Sequence, residues 1–121
     1  MNTTKYLELT DRTCKHIPEE GVTIKPEMYD LLHATLGISG EAGELLDAVK
    51  KSFIYGKPLD VVNAREELGD LLWYIALAMR TLGVSFEEIM QQNIDKLAKR
   101  YPEKYTDADA IARADKAPGE L

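Results

Sequence analysis

Two acidic pairs of equal internal spacing, Glu41-x-x-Glu44 and Glu67-x-x-Asp70, fall at matching places on two segments that read as helices. Residues three apart share one side of a helix. If the two helices pack as a hairpin, four carboxylates converge, and their repulsion is relieved only by protonation or by bound cations. That is the layout of a magnesium site. Among 21 Asp and Glu residues, either pair alone would be ordinary solvated surface. The matched orientation of the two pairs sets them apart.

Positioning those acids requires helices, and four can be read, with no stretch alternating at the period of two that a half-buried strand needs. The first runs from about Thr4 to His16, capped by Thr3 or Thr4 and ended before Pro18. Pro26, at a first-turn position, opens a long second helix to about Phe53, closed by Tyr55-Gly56-Lys57-Pro58. Asp60 caps a third helix that ends at Leu82, with Gly83 as its stop. Ser85 and Glu88 form a capping box at the start of a fourth, which ends near Arg100, before Pro102. Residues 106–121, with the Asp107-Ala108-Asp109-Ala110 run and Pro118-Gly119, read as a partly ordered tail behind a domain spanning 1–105.

At about 100° per residue, the second helix gathers Leu31, Ile38, Ala42, Leu45, Val49 and Phe53 into one apolar arc. The third gathers Leu68, Leu71, Leu72, Ile75, Met79 and Leu82. Both arcs are expected to face the core, with Glu41 and Glu67 about a quarter turn to one side and Glu44 and Asp70 further round on that side. Beside the acids lie Ala34, Gly37, Gly40 and Ala48. A helical glycine costs up to about 1 kcal/mol relative to alanine, so this stripe suggests close approach by a ligand, a neighbouring helix or another subunit.

On the fourth helix, Asn93 falls within the apolar arc of Phe86, Ile89, Met90, Ile94 and Leu97, where a buried amide needs partners. Lys96 and Arg100 follow on the adjoining face. The row of amide, ammonium and guanidinium suits phosphate oxygens, although each of the three also fits an ordinary core or surface position.

The chain has 121 residues, 45% hydrophobic and 30% charged, enough for one globular domain. A net charge of -6 argues against polymeric nucleic acid or an anionic membrane as partner. Cys14 is the single cysteine, so no intrachain disulfide can form; no apolar run is long enough to span a membrane, and no signal-peptide pattern appears at Met1 to Thr10. A soluble cytoplasmic protein is expected.

The ordered set Glu41-x-x-Glu44, Glu67-x-x-Asp70, Asn93-x-x-Lys96 and Arg100-Tyr101-Pro102 resembles the MazG-like all-α nucleoside triphosphate pyrophosphohydrolases, over roughly Leu31 to Tyr105. The likeness extends to Gly40-Glu41-Ala42-Gly43-Glu44-Leu45 and to the run from Glu66 to Tyr74. It implies an all-α, four-helix, bundle-like domain completed by assembly as a homodimer or homotetramer. It implies hydrolysis of a nucleoside triphosphate, often a deoxynucleotide, between the α and β phosphates. Glu41, Glu44, Glu67 and Asp70 become ligands of Mg²⁺, with Mn²⁺ as the alternative ion, and Asn93, Lys96, Arg100 and Tyr101 become triphosphate contacts. Tyr74, one turn beyond Asp70, becomes a candidate sensor of the sugar 2′ position, or else an interface aromatic. Trp73 points away from its own helix's core, as a subunit contact would.

Physical chemistry supports the same reaction, since a hard cation prefers carboxylate and phosphate oxygens and can acidify a bound water. Glu44, furthest from the core of its helix, is the candidate general base. No Ser-His-Asp or Cys-His arrangement accompanies His16 and His33, and no phosphate-binding glycine loop occurs. A di-iron bundle would need two Glu-x-x-His motifs, whereas the chain offers only Asp30-x-x-His33. The rival readings are a non-enzymatic helical module that assembles or binds nucleotide, and cleavage of another metabolite such as phosphoribosyl-ATP.

Overall fold

The computed structural model describes residues 1–118, and residues 119–121, the end of the expected tail with its Gly119, lie outside them. The described residues form five helices and no strand: α1 (Thr3–Thr13), α2 (Pro26–Tyr55), α3 (Val61–Leu82), α4 (Phe86–Arg100) and α5 (Asp107–Ala112). The all-α expectation holds. No helix among the described residues is long and apolar enough to cross a membrane.

Local chemistry accounts for the helix ends. α2 opens on Pro26 and closes at Gly56, whose φ of 64° is the left-handed conformation glycine adopts without steric penalty. The Asp60 side chain accepts from the Asn63 N–H at 3.0 Å to start α3. α3 closes with Gly83 at φ 69° and with bonds from Gly83 to Arg80 and from Val84 to Met79, the Schellman pattern. Both halves of the α4 capping box are present, Ser85 N–H to Glu88 at 2.7 Å and Glu88 N–H to Ser85 at 3.1 Å.

α1 departs from expectation. Its cap is Asn2, accepting from the Lys5 N–H at 2.8 Å, and it stops at Thr13 instead of continuing to His16. The Thr13 hydroxyl donates to the carbonyls of Leu9 and Thr10, and the His16 ring lies 3.3 Å from the Asp11 carbonyl. Side chains thus compete with main-chain bonds in the turn where the helix was expected to continue. The region expected to be tail contains α5, capped by Thr106.

Packing concentrates in the antiparallel hairpin of α2 against α3, with a small contact between α4 and α5. The seam follows three–four spacing: Leu31, Ala34, Ile38, Glu41, Leu45 and Ala48 from α2 meet Ala64, Glu67, Leu71, Tyr74, Ala78 and Thr81 from α3. This corrects the expected core faces. Ala42, Val49 and Phe53 on α2, and Leu68, Leu72 and Leu82 on α3, point outward, and Phe53 is 86% exposed. Among the described residues, only Ala34 and Ala48 are buried apolar residues.

The bundle is therefore not closed within one chain. α1 and α4 make no comparable contact with the hairpin. The accessible surface is 10284 Å² for 13.6 kDa, against about 6,600 Å² for a compact monomer of that mass. Leu68, Leu72, Phe86, Met90 and Ile94 are among the large apolar residues exposed on it.

Candidate metal centre and the clefts beside it

Glu41 and Glu67 occupy facing seam positions halfway along the hairpin, where apolar residues ordinarily sit. Glu67 is only 9% exposed. Asp70 stands one turn further along α3, and oxygens from Glu41, Glu67 and Asp70 all lie within 4.8 Å of one another. Glu44 is outside this tight trio but close enough for its charge to act on Glu67. The structure thus brings three of the four expected acids into one cluster and places the fourth beside it.

The electrostatic consequence falls on Glu67. Burial pushes its carboxyl above the usual range, a hydrogen bond with Glu41 adds to this, and the charges of Glu44, Glu41 and Asp70 push the same way. Among the described residues no Lys, Arg or His forms an ion pair with any of the four. An all-oxygen donor set with uncompensated negative charge fits a hard divalent cation, which would be held by Glu41, Glu67 and Asp70 with Glu44 adjacent.

Two open clefts border the cluster and differ in character. One, of about 350 Å³, is lined by Glu41, Asp70, Trp73 and Tyr74. The other, of about 420 Å³, includes Glu44, Asp47, Lys51, Asn63 and Glu67. The first continues away from the α2–α3 loop and the second toward it, because Lys51 and Asn63 lie near the loop ends of their helices.

Tyr74 is seated by Gly37. A Cβ at position 37 would overlap the Tyr74 ring, so a glycine is required there by close approach. Gly40 and Gly43 face open space. The ring of Tyr74 also meets His33 edge-on at 5.7 Å and Trp73 at 5.0 Å, and His33 continues to Tyr29 at 6.5 Å.

The residues expected to hold phosphate are not gathered with the acids. Asn93 and Lys96 are exposed, and neither they, Arg100 nor Tyr101 line either cleft. The expected burial of Asn93 fails in the single chain because nothing covers the apolar face of α4. Arg100 instead grips Asp115, with Nε and a terminal nitrogen at 2.6 and 2.8 Å. The guanidinium holds the Asp115 carboxyl down to about 2. Tyr101 packs at a tilt against Tyr105, with ring centroids 5.3 Å apart. Sequence reasoning missed Lys51, Asp47 and Asn63. Lys51 and Asp47 were visible as an i, i+4 pair one turn past Glu44 on the same side of α2, whereas Asn63 had no comparable signal.

A family model for the MazG nucleotide pyrophosphohydrolase domain matches residues 31–105, the stretch that holds the hairpin, both acidic pairs and α4. The chain belongs to the MazG family. The gene 37 protein of Mycobacterium phage L5 is similar to it, 36% identical over 77 residues that cover 58% of this chain and 65% of the phage protein. The chain thus spans about two-thirds of that relative's length. No solved structure gives a significant match. The MazG match begins at Leu31 and ends at Tyr105, so α1 and α5 lie outside it.

Proposed function

We propose that this MazG-family chain hydrolyses a nucleoside triphosphate, with deoxynucleotides as the favoured class, to a nucleoside monophosphate and pyrophosphate. The observation that carries the reading is the convergence of Glu41, Glu67 and Asp70 on one spot, with no cation among the described residues in an ion pair with them. Such a cluster binds an anionic substrate only with a divalent ion between them, and Mg²⁺ is the ion proposed, with Mn²⁺ able to replace it. When bound, the ion would polarise the α-phosphoryl group and neutralise charge on the departing pyrophosphate.

The protein's own groups supply the rest. Water attacks the α-phosphorus, the bond from that phosphorus to the bridging oxygen breaks, and pyrophosphate leaves with the electron pair. Glu44 takes the proton of the attacking water, a role supported by its place beside the tight trio and at the edge of an open cleft. Tyr74, fixed against Gly37 in the other cleft, is placed to meet the sugar.

Assembly completes the proposal. The surplus apolar surface supports a homodimer or homotetramer, in which Asn93, Lys96, Arg100 and Tyr101 of α4 would reach the acids of another copy as triphosphate contacts. The test is incubation of the purified chain with each NTP and dNTP, with Mg²⁺ or with chelator, alongside Glu44→Gln and Asp70→Asn. Metal-dependent pyrophosphate release, lost in both variants, is expected. Release of orthophosphate, or no release from folded protein, would overturn the reading, and turnover of phosphoribosyl-ATP alone would move the substrate class.

A further inference from the structure

The two clefts that border the acids are chemically unlike, and their order along the hairpin gives the site a direction. On the side away from the loop stand Trp73 and Tyr74, with the Trp73 ring half open to solvent. On the loop side stand Lys51 and the half-buried Asn63 amide, with Glu44 and Glu67 between them and the aromatic end. Lys51 is the cation that lines the acid-bordering clefts.

We propose that Lys51 contacts the outer phosphates of the nucleotide, which lies with its phosphate end toward the α2–α3 loop and its nucleoside end against Trp73 and Tyr74. The inference rests on the nucleotide reading above and adds an orientation and a residue to it. Lys51 is held at the cleft by Asp47 at 2.8 Å, one turn earlier on α2. That bond uses one of three ammonium donors and leaves two for phosphate oxygens. Gly40 and Gly43 line the same cleft beside Glu44, and with nothing within 4 Å of a Cβ there they leave room for phosphate next to the acids. Asn63 adds a neutral donor from the facing helix. Among the described residues no cation lines the aromatic end, so a triphosphate laid the other way would set its most charged part against Trp73 and Tyr74 and leave the two remaining ammonium donors of Lys51 unused.

The experiment measures binding of inorganic tripolyphosphate in Mg²⁺ by calorimetry, and KM for the best nucleoside triphosphate, in wild type, Lys51→Gln, Lys51→Arg and Trp73→Ala. Lys51→Gln is expected to weaken tripolyphosphate and to raise KM by about tenfold, the size of one lost charge-assisted contact, with Lys51→Arg recovering most of the loss. Trp73→Ala is expected to raise KM while leaving tripolyphosphate binding unchanged. Lys51 is exposed, so melting temperature should not move in its variants. Unchanged tripolyphosphate binding in Lys51→Gln, or no binding by the wild type, would overturn the Lys51 contact. Equal loss of tripolyphosphate in Trp73→Ala would overturn the orientation. If the wild type binds tripolyphosphate through Lys51 but hydrolyses no nucleotide, the proposed reaction fails while the phosphate contact stands.

Discussion

Glu41 and Glu67 face each other across the α2–α3 seam, at positions where a helical hairpin otherwise sets apolar side chains. The metal-free hairpin therefore contains a built-in electrostatic cost at neutral pH. Because burial and neighbouring acids raise the Glu67 carboxyl, its folded form holds a proton that the unfolded chain gives up sooner. The sign follows: the contribution of Glu67 to metal-free stability is fully present below the ordinary carboxylate range and is lost as pH rises through the raised value. A divalent ion should reverse the trend at neutral pH. At a hundredfold excess over Kd, Mg²⁺ is expected to raise Tm by roughly 10 °C at pH 7.5 and by much less at pH 4. Thermal melts at the two pH values, with Mg²⁺ or with chelator, check this. A pH-independent metal effect would show that the acids are not its source.

Gly37 and Tyr74 give a second prediction. Alanine at 37 gains up to about 1 kcal/mol in helix propensity. Its methyl group, however, falls on the Tyr74 ring in the α2–α3 seam. Overpacking of this kind costs about 1–3 kcal/mol, so Gly37→Ala should destabilise the protein and Gly37→Ala with Tyr74→Ala should recover part of the loss. Denaturant titration of both variants and of Tyr74→Ala measures the coupling. Gly40→Ala, with open space around it, should be neutral or stabilising in the unassembled chain.

The helix boundaries at Pro26, Asp60, Gly83 and Ser85 were legible because each rests on a local rule that the residues satisfy by themselves. The pairing of Glu41 with Glu67 was legible too, through equal spacing and phase. What misled was the assumption that the widest apolar arc faces the nearest helix. Leu72 is 55% exposed and Phe53 more so, because the seam takes in small and acidic residues along with Leu31, Ile38, Leu45 and Leu71, leaving the other part of each apolar arc for some other surface. A single chain's periodicity shows which face is apolar but not what covers it. The same gap hid the fate of Asn93, whose burial depends on a cover for α4. Lys51 was hidden for a different reason, since a lysine one turn from an aspartate looks like an ordinary surface pair until the cleft beside it is seen.

Arg100 and Asp115 tie residues that follow α4 back onto its end. The Asp115 side chain is 1% exposed and Arg100 19%, so this pair differs from a solvated one. The guanidinium lowers the Asp115 carboxyl from its ordinary 3.8 to about 2, so the contribution is complete above about pH 4 and is lost as pH falls through 2. Asp115→Ala should leave Arg100 without its partner and loosen residues 101–116. Limited proteolysis is expected to cut that segment several times faster in the variant, with α2 and α3 unaffected. It should also free the guanidinium, so KM for the triphosphate is expected to change in Asp115→Ala if Arg100 contacts phosphate, and to stay at the wild-type value if Arg100 serves only to hold the C-terminal segment.

The outward apolar faces make the strongest demand on the surroundings of this chain. A surplus of about 3,700 Å² over a compact monomer is comparable to what obligate subunits bury together. Water-exposed Phe53, Leu68 and Leu72 on the hairpin and Met90 and Ile94 on α4 make that surface adhesive. Sedimentation equilibrium of the wild type at micromolar concentration should therefore give a dimer or tetramer mass. Leu72→Asp sets a charge within this face, two residues past Asp70 but on another side of α3, without touching the α2–α3 seam. It is expected to shift the equilibrium toward monomer by at least a hundredfold in Kd, since burying an unpaired charge costs several kcal/mol. If α4 supplies phosphate contacts across the interface, turnover should fall with the dimer fraction and return as protein concentration is raised. A monomeric wild type that turns over fully would show that one chain suffices, and that Asn93 and Lys96 take no part in the reaction.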